Sequence, residues 1–155
     1  MAWPKAGDTA HDFTLPDQDG NPVTLSALWA KGPLVLYFYP KDETAGCTAE
    51  ACSFRDSFEV FRDAGASVVG VSRDSVASHK SFAAHHRLPF TLLADVAGTA
   101  HEAWGIQKRF GFLTDRVTFV IDPKGIVRHT FDSQLRMGKH IDESLAVVKK
   151  LAVGA

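Results

Sequence analysis

The chain has only two cysteines, Cys47 and Cys52, too few to staple a fold with several disulfides or to fill a metal site without further ligands. It has no excess of either charge, with 17 Lys and Arg against 18 Asp and Glu, and so lacks the electrostatic footprint of a nucleic-acid or anionic-membrane binder. No run of about 18 apolar residues occurs, and residues 1–8 lack the basic flank and apolar core of a secretory signal. Internal repeats, low-complexity tracts and linkers are also missing, as is the C-x-x-C spacing of dithiol oxidoreductases. These absences predict one domain over residues 1–155 in the cytoplasm, with small-molecule or protein partners and no nucleic acid or membrane. In a reducing compartment two cysteines point to catalysis or redox sensing rather than to a structural brace.

What is present is an alternation of short apolar runs and helical patterns. Runs rich in β-branched and aromatic residues at Leu34 to Tyr39, Ser67 to Ser72, Phe90 to Leu93 and Val117 to Ile121 predict buried strands. Between and after them, Cys47 to Ala64, Ser75 to His86, Ala97 to Trp104 and Asp142 to Val153 carry helical patterns. That order predicts an α/β sheet flanked by helices. Asp122-Pro123-Lys124-Gly125 links Val117 to Ile121 with a further run, Ile126 to Phe131, and its turn chemistry adds an antiparallel pair, so the sheet is mixed. Phe13 to Leu15 and Val23 to Leu25 around Asp19-Gly20-Asn21-Pro22 predict a small N-terminal hairpin.

Both cysteines lie where the first of these strands gives way to a helix. A cysteine in a first helical turn faces unpaired backbone N–H groups and the positive end of the macrodipole, which stabilise a thiolate. Cys47 is therefore the candidate nucleophile. Cys47, Ala51, Phe54, Phe58 and Phe61 recur at steps of four and three, predicting one buried face. Cys52 falls off that stripe beside Arg55, Asp56 and Glu59 and is expected nearer solvent. In a regular helix, residues five apart are separated by about 8 to 9 Å between Cα atoms, whereas a disulfide needs less than about 7 Å. A Cys47–Cys52 bond thus requires the first turns to unwind, which suits a switchable link. Thr44, three residues before Cys47, either caps the helix or points at the sulfur. Pro40 ends the strand and restricts Tyr39 to extended backbone.

Pro40, Thr44 and Cys47 together spell P-x-x-x-T-x-x-C, and Cys52 follows at C-x-x-x-x-C. This set resembles the peroxiredoxins, in particular the bacterioferritin-comigratory or Q-type branch. The similarity extends to Asp12-Phe13-Thr14-Leu15-Pro16-Asp17-Gln18-Asp19-Gly20, to Tyr37-Phe38-Tyr39-Pro40, to Cys52-Ser53-Phe54-Arg55-Asp56, to Gly70-Val71-Ser72 and to Arg116-Val117-Thr118-Phe119-Val120-Ile121-Asp122. The resemblance implies a thioredoxin-like core with an N-terminal extension, and reduction of hydrogen peroxide and organic hydroperoxides without metal or organic cofactor. It implies that Cys47 is the peroxidatic nucleophile and Cys52 the resolving thiol. By the same resemblance Thr44 hydrogen-bonds thiolate and peroxide, Pro40 shields the sulfenic acid, and Arg116 completes the pocket. Thioredoxin or a glutaredoxin-like dithiol protein is the implied reductant, and an intrachain disulfide is compatible with a monomer. Ala45 stands where relatives commonly have Pro, a departure expected to loosen the loop before Cys47.

Other residues are read more plainly. Glu50 is placed in the first helical turn as a macrodipole partner, with pairing to an active-site cation as the alternative. The seven histidines are scattered, and only His85 and His86 adjoin, a poor chelating geometry because neighbouring helical positions diverge. They are read as surface residues. Trp104 to Ile106 and Phe110 to Phe112 are read as core packing rather than walls of the active-site mouth. A peroxide-responsive redox sensor acting on a partner protein stays open beside the enzyme.

Overall fold

The structure is a computed structural model and describes residues 3–109, 113–133 and 136–154. Its centre is a five-stranded mixed sheet in the order β5-β4-β3-β8-β9. The strands are β3 (Leu34–Phe38), β4 (Ser67–Ser72), β5 (Thr91–Ala94), β8 (Val117–Ile121) and β9 (Val127–Asp132). β3, β4 and β5 run parallel, whereas β8 is antiparallel to β3 and β9 antiparallel to β8. This matches the expected parallel core with a hairpin at one edge. Strand alternation divides β3 between two cores. Leu34, Leu36 and Phe38 enter one apolar cluster with Phe119, Trp104 and Leu25. Val35, Tyr37 and Tyr39 enter the other, with Cys47, Phe54, Phe61, Phe82, Ile141 and Val148.

The helices that supply the second cluster are α2 (Ala45–Asp56), α3 (Phe58–Asp63), α4 (Val76–His86) and α6 (Met137–Gly154). Leu25 of α1 (Leu25–Trp29) and Trp104, which caps α5 (Thr99–Ala103), pack on the opposite face. The N-terminal hairpin joins β1 (Thr14–Pro16) to β2 (Pro22–Thr24), and β6 (Lys108–Arg109) pairs with β7 (Leu113–Thr114). Trp104 is core as expected, while Phe110 to Phe112 lie outside the described residues. No helix among the described residues is long and apolar enough to cross a membrane.

Several boundaries differ from the sequence reading, two of them by more than two residues. The helix expected over Cys47 to Ala64 breaks at Ser57, whose φ of −101° and ψ of 4° leave the helical region, so that α2 and α3 are separate. The kink keeps Phe54 and Phe61 both buried, with ring centroids 5.8 Å apart. The last helix begins at Met137, five residues before Asp142. Those five residues, Met137-Gly138-Lys139-His140-Ile141, carry no helical apolar period, and their turn is anchored instead by polar contacts of His140.

Candidate active site

β3 carries the chain to Tyr39, whose amide bonds the Val71 carbonyl, and Pro40 then turns it into the loop before α2. That loop is held by a buried polar network centred on Asp42. Tyr39 Oη donates to Asp42 Oδ1 (2.5 Å), Ser78 Oγ donates to Oδ2 (2.8 Å), and the His79 ring bridges Oδ2 (2.7 Å) and the Leu93 carbonyl (2.9 Å). The Asp42 amide donates in turn to Asp74 Oδ2. The loop is thereby tied to β5 and α4 before the helix starts.

Thr44 is the N-cap of α2, with extended backbone. Its hydroxyl donates to the Lys41 carbonyl at 2.8 Å, so although Thr44 holds the N-cap position its side chain makes neither the capping hydrogen bond nor the bond to the Cys47 sulfur that the sequence offered as alternatives. Cys47 is the third residue of α2, where its amide has no intrahelical carbonyl to bond, and its side chain is only 1% exposed.

Arg116 immediately precedes β8, and the pairing of Phe38 with Val117 brings it alongside the end of β3. Its guanidinium forks between two partners, donating from Nη2 to Cys47 Sγ (3.2 Å) and from Nη1 to Glu50 Oε1 (2.7 Å). Burial by itself lowers the Arg116 pKa, but the Glu50 carboxylate and the Cys47 sulfur turn the net effect upward, and the cation is secured. A fixed positive charge thus faces the sulfur at the positive end of a helix.

Glu50 lies in the second turn, not the first, because α2 begins at Ala45. It is fully buried rather than a surface partner of the macrodipole, and the alternative of pairing with a site cation is what the structure shows. Burial pushes its carboxyl up to about 7 despite the opposing influence of Arg116. Its second oxygen has no hydrogen-bond partner and lies 3.5 Å from His140 Nδ1. His140 also bonds Thr118 Oγ1 through Nδ1 (2.7 Å) and the Ser133 carbonyl through Nε2 (2.9 Å). Burial, reinforced by Arg116, brings this imidazole down to about 4. It is neutral at pH 7, donates from Nε2 to Ser133 and accepts the Thr118 hydroxyl at Nδ1.

Tyr37 closes the floor. Its ring stacks on Phe54 (centroids 4.7 Å apart), and its buried hydroxyl lacks a partner. Burial, and after it the charges of Glu50 and Cys47, hold this phenol well above its usual range.

The structure thus joins Cys47 with Arg116 directly, places Thr44 and a half-buried Pro40 on the loop just before Cys47, and leaves Cys52 half-buried farther along the same unbroken helix. Both thiols are free. The sequence reading missed Asp42, His79 and His140. His79, His101 and His140 are fully buried, not surface residues: the Nδ1 of each ring meets a polar partner elsewhere in the chain, Asp42, Asp95 and Thr118 respectively, which no sequence pattern announces.

Comparison with known proteins agrees with this geometry. The AhpC/TSA family matches residues 6–130. Peroxiredoxin Q, chloroplastic, from Sedum lineare is 50% identical over 94% of this chain and 78% of its own length, and its namesake from Triticum aestivum is 49% identical over 94% and 67%. Among solved structures, peroxidoxin BcpB from Mycobacterium tuberculosis superposes with a TM-score of 0.90 at 42% identity, covering 95% of this chain and 97% of that one. Xanthomonas campestris peroxiredoxin Q superposes at 0.82 and 37% identity, covering 90% and 91%.

Proposed function

Because the chain belongs to the AhpC/TSA family, on its peroxiredoxin Q branch, it is a thiol peroxidase, and we propose that Cys47 is the sulfur its hydroperoxide substrate oxidises. The observation that carries this assignment is the 3.2 Å contact from Arg116 Nη2 to Cys47 Sγ in a buried site at a helix N-terminus. The Cys47 thiolate attacks the terminal peroxide oxygen and the O–O bond breaks. The sulfur becomes a sulfenic acid, and the departing oxygen takes up a proton and leaves as water or alcohol. Charge moves from sulfur to oxygen along the way, and a guanidinium held between Cys47 and Glu50 stabilises it without reorganising. Thr44 turns its hydroxyl from the Lys41 carbonyl to the peroxide oxygen, and Pro40 limits water at the sulfur. Glu50 positions Arg116.

Cys52 then attacks the sulfenic sulfur and expels water, giving a Cys47–Cys52 disulfide. α2 is continuous across both residues, so its first turns must open for the sulfurs to meet. A thioredoxin-type dithiol returns two electrons to that bond. We take the enzyme to act as a monomer, since the resolving thiol is its own, and to work in the cytoplasm, where free thiols persist. The plant relatives are named chloroplastic. The decisive experiment adds one equivalent of hydrogen peroxide to the reduced protein and follows intact mass with peptide mapping. Rapid loss of two hydrogens, mapped to Cys47 and Cys52 and reversed by a dithiol, is the expected result. Slow or scattered oxidation, or peroxide reduction that survives Cys47→Ser, overturns the assignment.

A further inference from the structure

A second constellation lies beside the cysteine site and takes no part in the chemistry above. Glu43, in the loop before α2, meets the last two residues of α4. Its Oε2 is 2.9 Å from His85 Nδ1 and its Oε1 is 2.8 Å from His86 Nε2. The three ligand atoms all lie within 4.8 Å of one another. Adjacent helical side chains ordinarily diverge. Here they converge because the helix ends, one ring offers its near nitrogen and the other its far one, and the ring centroids are 4.1 Å apart. His86 is the fixed member, only 17% exposed with its ring edge-on to Phe82, while His85 is open to solvent. Glu43 is held with a φ of 62°, a left-handed conformation uncommon for a residue with a side chain.

Two imidazoles and a carboxylate are the ligand set of an open tetrahedral zinc-class site, with water in the fourth position. Ligand atoms in such a site are about 3.3 Å apart, which small side-chain rotations achieve from this arrangement. The C-terminal end of α4 also favours a cation.

The position of the cluster gives it a consequence. Arg55 of α2 donates from Nη1 to the His86 carbonyl at 2.8 Å. Residues 44–54, the segment that must open for Cys52 to reach Cys47, therefore hang between two attachments to the same end of α4, Glu43 on one side and Arg55 on the other. We propose that Glu43, His85 and His86 bind a divalent cation of the zinc class, and that the bound ion braces the segment that unwinds. The effect on turnover rests on the Cys47–Cys52 reading; the binding site does not.

The test uses the full chain carrying Cys47→Ser and Cys52→Ser, which removes the thiols as competing ligands, and titrates it with zinc ion alone at pH 7.5. One saturable equivalent is expected, weakened at least tenfold by Glu43→Gln and by His86→Gln added separately. Amide hydrogen exchange of residues 44–54 should slow on zinc addition in the parent and not in those variants. Absence of 1:1 binding, or binding indifferent to both substitutions, overturns the site. Binding that leaves the exchange unchanged overturns the brace. Neither outcome depends on peroxide chemistry, so failure here is distinct from failure of the peroxidase assignment.

Discussion

Glu50 Oε2 and His140 Nδ1 lie 3.5 Å apart, both fully buried, and burial moves their titrations in opposite directions. The carboxyl rises from 4.5 to about 7, and the imidazole falls from 6.5 to about 4. Between pH 4.5 and 6.5 the folded protein favours the neutral form of both groups, where the unfolded chain favours the charged form of both.

The linkage follows from proton counting. Folded Glu50 binds more protons than unfolded, so its contribution to stability falls as pH rises from about 4.5 to about 7. Folded His140 binds fewer, so its contribution rises from about 4 to 6.5. Each is on the order of 3 kcal/mol over its full range, and they offset one another in the wild type. Urea denaturation across this window should therefore show rising stability with pH in Glu50→Gln and falling stability in His140→Gln. Parallel profiles for the two variants would exclude the opposed titration.

Arg116→Lys should lower the second-order rate of peroxide reduction by roughly 10²- to 10³-fold, measured by stopped-flow on the reduced enzyme. The reason is geometric. Lysine keeps the charge but is a point donor, and it cannot fork between Cys47 Sγ and Glu50 Oε1 as Nη2 and Nη1 do.

Ala45→Pro should slow disulfide formation about 2- to 5-fold without slowing the first oxidation. Ala45 is the first residue of α2, a position where proline suits the helix, and Thr44 already has the extended backbone that a following proline demands. The substitution removes freedom only from the opened state. Quenched-flow trapping of the sulfenic acid separates the two steps, and equal resolution rates would mean that α2 opens elsewhere.

Asp42→Ala should destabilise the fold by about 3 kcal/mol or more, read from urea denaturation. One carboxylate serves Tyr39, Ser78 and His79 together, and its loss leaves the buried Tyr39 hydroxyl and His79 Nδ1 without that partner. Amide exchange in residues 41–44 should quicken in parallel, since this network anchors the loop that presents Thr44.

What could be read directly from the chain was whatever is encoded locally or by strand period. The alternation in Leu34 to Phe38 assigns its side chains to two faces, and Cys47, Ala51 and Phe54 mark the buried stripe of α2. The spacing of Pro40, Thr44, Cys47 and Cys52, with the resemblance it carries, named the chemistry and pointed to Arg116. The break at Ser57 and the early start of α6 at Met137 escaped because packing and buried hydrogen bonds override a weak local pattern there.

Tertiary structure decided the partners. Arg116 reaches Cys47 across 69 residues only because β8 is antiparallel to β3, and Glu50 becomes a buried ion-pair partner because that strand order places the guanidinium over α2. His79 meets Asp42, and His85 and His86 meet Glu43, because α4 ends beside the loop before α2. The Thr44 hydroxyl donates its hydrogen bond to the Lys41 carbonyl, a choice set by loop geometry rather than by residue type. Local sequence specifies turns, strands and a thiol at a helix start, but hydrogen-bond partners distant in sequence are chosen by how the elements pack.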